Sequence, residues 1–106
     1  MVCAIEPLTR ELERIGIRVK KAWVYILECS DGTYYTGYSR DPEARLEQHK
    51  AGKASKYTRS RLPVKMVFLQ ECPTSQEAYR SERRIKQLPR KKKEALVRGE
   101  HSLLHL

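Results

Sequence analysis

Two short aromatic and β-branched runs separated by a glycine turn constrain the fold of this chain more than any other feature. Residues 23–28 (Trp-Val-Tyr-Ile-Leu-Glu) and 33–38 (Thr-Tyr-Tyr-Thr-Gly-Tyr) flank the segment Ser30-Asp31-Gly32. Such runs favour β-strands, and a Ser-Asp-Gly segment between them is typical of a hairpin. The sequence therefore predicts two adjacent antiparallel strands.

The length of the hairpin turn decides which side chains share a face. A two-residue turn would place Tyr25 and Tyr35 on opposite faces, because side chains alternate along a strand. A three-residue loop, with Gly32 in the left-handed conformation, would instead pair Leu27 with Tyr35. Tyr25 and Tyr35 would then be diagonal neighbours, roughly 7–8 Å apart on one face. We expect the three-residue loop.

The segment after the hairpin carries a helix-start signal. Asp41-Pro42-Glu43 combines an N-cap acid, a proline at the first helical position and an acid in the first turn. This helix is expected to run to about Ala51, and a basic loop over residues 53–63 follows it. Residues 64–69 (Val-Lys-Met-Val-Phe-Leu) predict a third strand.

The last part of the chain is predicted to be helical. Thr74 and Glu77 form a capping box, and Pro89 stops the helix that they begin. A final helix over residues 90–98 ends at Gly99. The predicted order β-β-α-β-α-α makes this an α+β domain, with a three-stranded antiparallel sheet flanked by helices.

The chain divides into three parts. Residues 1–20 form an N-terminal extension, in which apolar residues at spacings of three and four predict a short amphipathic helix. Residues 21–99 form the domain, and residues 100–106 form a C-terminal tail. The extension is a docking helix or a partner-binding segment, or it is partly disordered, and the sequence leaves these alternatives open.

Charge and cysteine usage limit the classes of function. The chain has 22 Lys and Arg against 13 Asp and Glu, and the excess concentrates in residues 38–66 and 80–98. Two basic segments favour a polyanionic partner, most commonly nucleic acid, over a basic face that only aids solubility.

The three cysteines lack a Cys-x-x-Cys pair, which argues against a disulfide framework and a structural zinc site. With no bilayer-spanning run and no secretory signal, we expect a cytoplasmic protein.

Glu82 lies on the predicted apolar face of the helix that Thr74 begins. The apolar stripe of Ala78, Ile85 and Leu88 continues at helical spacing through Glu82. A buried carboxylate is costly unless a cation, a metal or a hydrogen-bond network meets it. A functional role and an ion pair with a nearby arginine are the two alternatives.

In combination, these features resemble the GIY-YIG nuclease domain over about residues 22–97, and small stand-alone bacterial members in particular. The stretches that carry the resemblance are Val24-Tyr25-Ile26, Asp31-Gly32, Tyr35-Thr36-Gly37, Arg45 with His49, Lys56-Tyr57-Thr58, and Glu82-x-x-Ile85-Lys86. Each stretch alone is a weak signal, whereas their order and spacing together are specific.

The resemblance implies a role for each matching residue. Tyr25 and Tyr35 match the two motif tyrosines that line the cleft, and Gly37 matches the motif glycine, which allows close backbone approach. Arg45 matches the arginine that contacts the scissile phosphate. His49 matches a position that is often His or Tyr, and it shares a helix face with Arg45.

The resemblance also implies a metal and a reaction. Glu82 matches the glutamate that holds a single divalent metal, Mg²⁺ or Mn²⁺, and Tyr57 resembles a further aromatic position of the site. In the implied phosphodiester hydrolysis, Tyr25 accepts the proton of water, with His49 as the alternative base. The nucleic-acid contacts expected outside the cleft are Lys53, Lys56, Tyr57, Arg59, Arg61, Arg90, Lys91, Lys92 and Lys93.

Three departures from the family pattern bear on activity. The first motif begins Trp23-Val24 instead of Gly-Ile, and Tyr38 follows Gly37 where some relatives have a lysine. The chain also contains no asparagine, although several nucleases of the family use one near the end of the domain. The last two departures favour weak catalysis more than a different fold.

We therefore expect a metal-dependent endonuclease that acts on DNA in preference to RNA and selects structure over sequence. One alternative is a nucleic-acid-binding module of the same fold with little or no cleavage. Another is an accessory subunit of a DNA repair complex, docked to a protein partner through residues 1–20. In each case we expect a monomer or weak dimer without a membrane partner.

Overall fold

The computed structural model describes residues 21–100, and these form a three-stranded sheet with helices on both faces. The strands are β1 (Ala22–Glu28), β2 (Tyr34–Ser39) and β3 (Lys65–Cys72). The helices are α1 (Pro42–Lys50), α2 (Lys56–Arg59), α3 (Ser75–Lys86) and α4 (Arg90–Arg98). The helix predicted within residues 1–20, and all of the tail beyond Glu100, lie outside the described residues.

β1 is the middle strand of the sheet. It pairs antiparallel with β2 on one side and with β3 on the other, in the order β2-β1-β3. A middle strand covered on both faces needs apolar side chains at successive positions, and five of the seven β1 residues are buried. The predicted α+β architecture with a three-stranded antiparallel sheet is confirmed.

The hairpin between β1 and β2 has the predicted three-residue loop. Leu27 pairs with Tyr35, and the backbone N–H of Cys29 donates to the carbonyl of Thr33 over 2.8 Å. Gly32 adopts a φ of 82°, the left-handed conformation that this loop requires. The face-sharing of the two motif tyrosines therefore follows from the local chemistry of the loop.

Each face of the sheet has its own hydrophobic core. The face covered by α3 and α4 buries Ala22, Val24, Ile26, Phe68, Cys72, Ala78, Ile85 and Leu96. The opposite face, against which α1 packs through Leu46, buries Tyr25, Leu27, Cys29 and Val64. Alternation along β1 thus separates Val24 and Ile26 from Tyr25 and Leu27, and it directs Tyr25 toward α1.

Local capping accounts for most of the helix boundaries. The Asp41 carboxylate accepts a hydrogen bond from the N–H of Ala44 over 3.1 Å, and the Thr74 hydroxyl accepts one from the N–H of Glu77 over 3.1 Å. Gly99 ends α4 with a φ of 78°. These three signals confirm the helix boundaries that the sequence predicts.

The prediction of an irregular basic loop over residues 53–63 was wrong in one respect. Ser55 caps a single helical turn, α2, by accepting a hydrogen bond from the N–H of Thr58 over 3.1 Å.

The third strand also extends past residue 69, because Cys72 pairs with Ala22 of β1. Among residues 21–100, none of the helices has the length and apolar character that crossing a bilayer requires.

The conformation of Gly32 yields a test of the hairpin. Gly32→Ala should lower the free energy of unfolding by about 1–2 kcal/mol, because an L side chain is strained at this φ. A Cβ at this position would meet no atom within 4 Å, so steric crowding contributes nothing. The measurement is a urea unfolding curve.

Gly32→Asn is the matched control, since asparagine tolerates the left-handed region. Its unfolding midpoint should lie between those of wild type and Gly32→Ala. Equal stability of wild type and Gly32→Ala would contradict the three-residue loop.

Candidate active site

A buried chain of hydrogen bonds connects β1, α1 and α2. The Tyr25 hydroxyl lies 2.9 Å from Nε2 of His49, and Nδ1 of His49 lies 2.8 Å from the Thr58 hydroxyl. All three residues are at most 1% exposed. Since the Thr58 hydroxyl donates to Ser55, its oxygen accepts from His49 Nδ1–H. The network therefore assigns His49 the tautomer whose Nε2 accepts from Tyr25.

The same burial keeps both ring systems uncharged. Burial raises the pKa of Tyr25 well above its ordinary value, and the neighbouring Tyr35 and Glu82 side chains add to this shift. The positive charge of Arg45 acts in the opposite direction and lowers the pKa of Tyr25. Burial also lowers the pKa of His49, and the positive charge of Arg45 lowers it further. A neutral phenol that donates to a neutral imidazole is the resulting state at pH 7.

The absence of a side chain at Gly37 leaves room for the Tyr25 ring. A Cβ at Gly37 would lie 2.6 Å from the Tyr25 hydroxyl oxygen and 2.8 Å from the adjacent ring carbon. The tyrosine ring thus rests directly on the backbone of β2, in space that any other residue would fill. The close approach implied for the motif glycine is present, and its partner is the tyrosine of the neighbouring strand.

Two further tyrosine rings link His49 to α2. Tyr35 meets the His49 ring edge-on at 5.1 Å between centroids, and Tyr57 stacks on Tyr35 at 6.0 Å. The guanidinium of Arg61 covers the Tyr57 ring at 3.8 Å. Arg61 is itself bonded to the Asp31 carboxylate over 3.0 Å. These contacts join the hairpin loop to α2 and hold Tyr57 in position.

Two charged side chains from different helices, Arg45 and Glu82, act electrostatically on Tyr25. Arg45 of α1 influences the pKa of both Tyr25 and His49, and Glu82 of α3 influences that of Tyr25. The Glu82 side chain is 12% exposed and pairs with Lys86 at 2.6 Å. The partner of this carboxylate is thus a lysine one turn further along α3, where the sequence suggested an arginine.

The structure distributes the predicted basic residues over two faces of the sheet. Lys53, Lys56 and Arg59 line one cavity of about 410 Å³ around the start of α2, on the same side as the Tyr25–His49 chain. Arg90, at the start of α4, lies over the Tyr34 ring at 3.9 Å and bonds Glu94 over 3.0 Å. Tyr34 packs against the core under α3 and α4, so the run from Arg90 lies on the other face.

Sequence reasoning missed Thr58 and Ser55 as parts of the site. Thr58 was noted within a family stretch without a role, yet it is fully buried and orients His49. The signal was a Ser-x-x-Thr segment, in which Ser55 caps α2 and also accepts from the Thr58 hydroxyl. The hydrogen bond between Thr58 and His49, nine residues apart, could not be predicted from the neighbouring residues.

The contact between Gly37 and Tyr25 is testable by a double-mutant cycle. Gly37→Ala should destabilise the protein by about 1–3 kcal/mol, because the added methyl group overlaps the tyrosine ring. In a Tyr25→Leu background, which lacks the overlapped atoms, the same change should cost less. Urea unfolding of the four proteins measures the coupling. Additive effects would contradict a direct clash.

His49 predicts a pH dependence of stability. Its pKa in the folded state lies below the ordinary value of 6.5, so the unfolded chain binds the proton more readily. The contribution of His49 is complete above pH 6.5 and is lost as the pH falls through the lowered value. The free energy of unfolding should therefore decrease from pH 7 to pH 5, and His49→Gln should reduce that slope. An unchanged slope in the variant would contradict a buried neutral imidazole.

Comparison with known proteins agrees with this geometry. The sequence profile of the GIY-YIG catalytic domain matches residues 21–95. A UPF0213 protein of Halobacterium salinarum is 53% identical over 73 residues, which cover 69% of this chain and 95% of that protein. A UPF0213 protein of Streptococcus sanguinis is 46% identical over 78 residues, which cover 74% and 90%.

Two solved structures show the same fold. The solution NMR structure of a UPF0213 protein from Bacillus halodurans has 44% identity and a TM-score of 0.50, covering 79% of this chain and 89% of that one. That of a protein from E. faecalis has 39% identity and a TM-score of 0.53, covering 77% of this chain and 88% of that one. The matched profile, these relatives and the placement of both motif tyrosines lead to one conclusion: this chain belongs to the GIY-YIG family.

Proposed function

We propose that this protein is a metal-dependent endonuclease that hydrolyses phosphodiester bonds in DNA and selects structure over sequence. The observation that carries the proposal is that three side chains from two helices, α1 and α3, act on one hydroxyl group. Arg45, His49 and Glu82 all influence or contact the hydroxyl of Tyr25. A cation, an imidazole and a carboxylate around one buried phenol are the groups that phosphoryl-transfer chemistry requires.

Glu82 is the residue that would hold the divalent metal. Within residues 21–100, no three or more His, Cys, Asp or Glu side chains gather into a metal-binding group. Mg²⁺ does not need such a cage, because it commonly binds through one or two carboxylates, with waters and substrate phosphates completing its shell. A single carboxylate that acts electrostatically on the Tyr25 hydroxyl fits that mode. When bound, the metal supplies Lewis-acid polarisation of the phosphate.

In this proposal, Arg45 binds the scissile phosphate. It lines a cavity of about 600 Å³ together with Tyr38, Arg40 and Ser75, and its charge reaches the Tyr25 hydroxyl. The planar guanidinium can donate to two phosphate oxygens at once and offset the charge that develops during attack. Arg45 thereby brings the reacting phosphate beside Tyr25.

Tyr25 and His49 are arranged to move the proton of the attacking water. The Tyr25 hydroxyl already donates to Nε2 of His49 over 2.9 Å. As the Tyr25 oxygen takes a proton from water, its own proton passes to the neutral imidazole. This coupling matters because the raised pKa of Tyr25 makes a free phenolate rare at pH 7. Thr58 holds the imidazole in the accepting tautomer.

The basic residues would track the DNA backbone. Lys53, Lys56 and Arg59 share the cavity at the start of α2, beside the proposed site. Contacts of this kind bind phosphates without regard to base identity. We assign no base-reading role to the described residues, which agrees with selection by DNA structure.

One observation favours a second candidate function, a nucleic-acid-binding module with little cleavage. The 2.6 Å pair between Lys86 and Glu82 neutralises the carboxylate that would bind metal. Lys86 must move for the metal to bind, which its half-exposed side chain permits. In the binding-module alternative, the pair persists and nucleic-acid affinity does not depend on metal.

Glu82→Gln separates the two candidates. With labelled single-stranded, duplex, flapped and branched DNA and with RNA, wild type should cut in Mg²⁺ or Mn²⁺ and not in EDTA. Glu82→Gln should cut at least about a hundredfold more slowly, because it loses the anionic metal ligand. Binding measured in EDTA should persist in the variant.

Glu77→Gln is the matched control. It removes the same charge from the same helix, at a partly exposed residue that pairs with Arg80 over 2.8 Å, so cleavage should stay near the wild-type rate. Equal cutting by all three proteins would indicate a contaminating nuclease. Binding without cutting by wild type would establish the binding module instead.

A further inference from the structure

Two exposed tyrosines form a pair beside the proposed site. Tyr38 of β2 and Tyr79 of α3 meet edge-on, with ring centroids 5.8 Å apart. They remain 37% and 45% exposed, respectively. Two adjacent aromatic rings open to solvent offer a surface on which nucleic-acid bases can stack.

The position of the pair connects it to the residues of the cleft. Tyr38 directly follows Gly37 and lines the same 600 Å³ cavity as Arg45. Tyr79 lies three residues before Glu82, so both side chains project from the same side of α3. The two rings therefore border the surface on which Arg45 and Glu82 would meet a phosphate.

Cationic side chains surround the pair. The guanidinium of Arg83 lies 5.9 Å from the Tyr79 ring, and Arg40 lines the cavity and donates to Ser75 over 3.4 Å. Aromatic rings interleaved with arginines are the usual composition of surfaces that bind single-stranded nucleic acid. Bases stack on the rings while the arginines contact the backbone.

Two other tyrosines, one beside the site and one on the other face of the sheet, differ from this pair in one respect. Tyr57 and Tyr34 carry a guanidinium at 3.8 Å and 3.9 Å, respectively, packed directly over the ring. The cation nearest to Tyr79 is about 2 Å more distant. The Tyr79 ring is thus less closely covered by a cation than the Tyr57 ring, and it is also more exposed, at 45% against 37%.

We propose that Tyr38 and Tyr79 stack an unpaired base of DNA next to the phosphate that Arg45 binds. The assignment of that phosphate rests on the proposed function. A base inside a duplex already has neighbours on both faces and cannot stack on a protein ring without leaving the helix. The substrate class is therefore DNA with single-stranded nucleotides at the cut, such as a single strand or a flap.

The test measures binding in EDTA, where no hydrolysis is needed. Fluorescence anisotropy gives Kd for a labelled single strand and for the matching duplex, with wild type, Tyr38→Leu and Tyr79→Leu. Each leucine variant should bind the single strand about tenfold more weakly, while its duplex affinity changes less than about twofold. Tyr38→Phe and Tyr79→Phe keep the ring face and should bind like wild type.

Two outcomes would overturn the proposal: unchanged single-strand affinity in both leucine variants, or equal losses on the single strand and the duplex. Thermal unfolding of each variant confirms folding, and the two positions lie on different elements, so one misfolded variant does not end the test. Failure here leaves the Glu82→Gln experiment intact. Conversely, a protein that binds single strands through these rings without cutting them would overturn only the nuclease proposal.

Discussion

The structure depends on the contact between the Tyr25 ring and the backbone of Gly37. The ring can occupy this space because Gly37 has no side chain, and it faces that way because the hairpin loop sets the register. From this position the Tyr25 hydroxyl reaches His49 on α1, and His49 in turn reaches Thr58 on α2. One glycine in a strand thus aligns side chains from three elements.

The covering of both sheet faces explains why the candidate site lies where it does. The core under α3 and α4 is apolar, whereas the core under α1 contains a polar chain that is satisfied internally. Burial raises the pKa of Tyr25 and lowers the pKa of His49, so both side chains stay neutral at pH 7. β2 is an edge strand, so α1 and α3 can both bring charged residues to the phenol from the open side.

Features that depend on neighbouring residues were predictable. The three-residue hairpin loop and the caps at Asp41 and Thr74 follow from hydrogen bonds between residues at most four apart. Features that depend on distant residues were not. The bond between Arg61 and Asp31 joins positions 30 apart, and the choice of Lys86 over an arginine as the partner of Glu82 depends on where α3 packs. The turn of α2 belongs partly to each group. Its capping residue Ser55 could be recognised from the sequence, whereas the burial of Thr58 could not.

The amino-acid sequence alone was enough to predict three strands, the register of the hairpin, the starts of the helices at Asp41 and Thr74, and the order of the family motifs. Backbone propensity, capping and side-chain alternation act over a few residues, so they can be predicted from a single sequence. Tertiary structure alone decided that His49 is buried between Tyr25 and Thr58, that Arg90 lies on the other face from them, and that Tyr38 meets Tyr79. The protonation state of a side chain depends on its burial, and its partners depend on its distance from other side chains. Burial and these distances arise only when remote segments of the chain pack together.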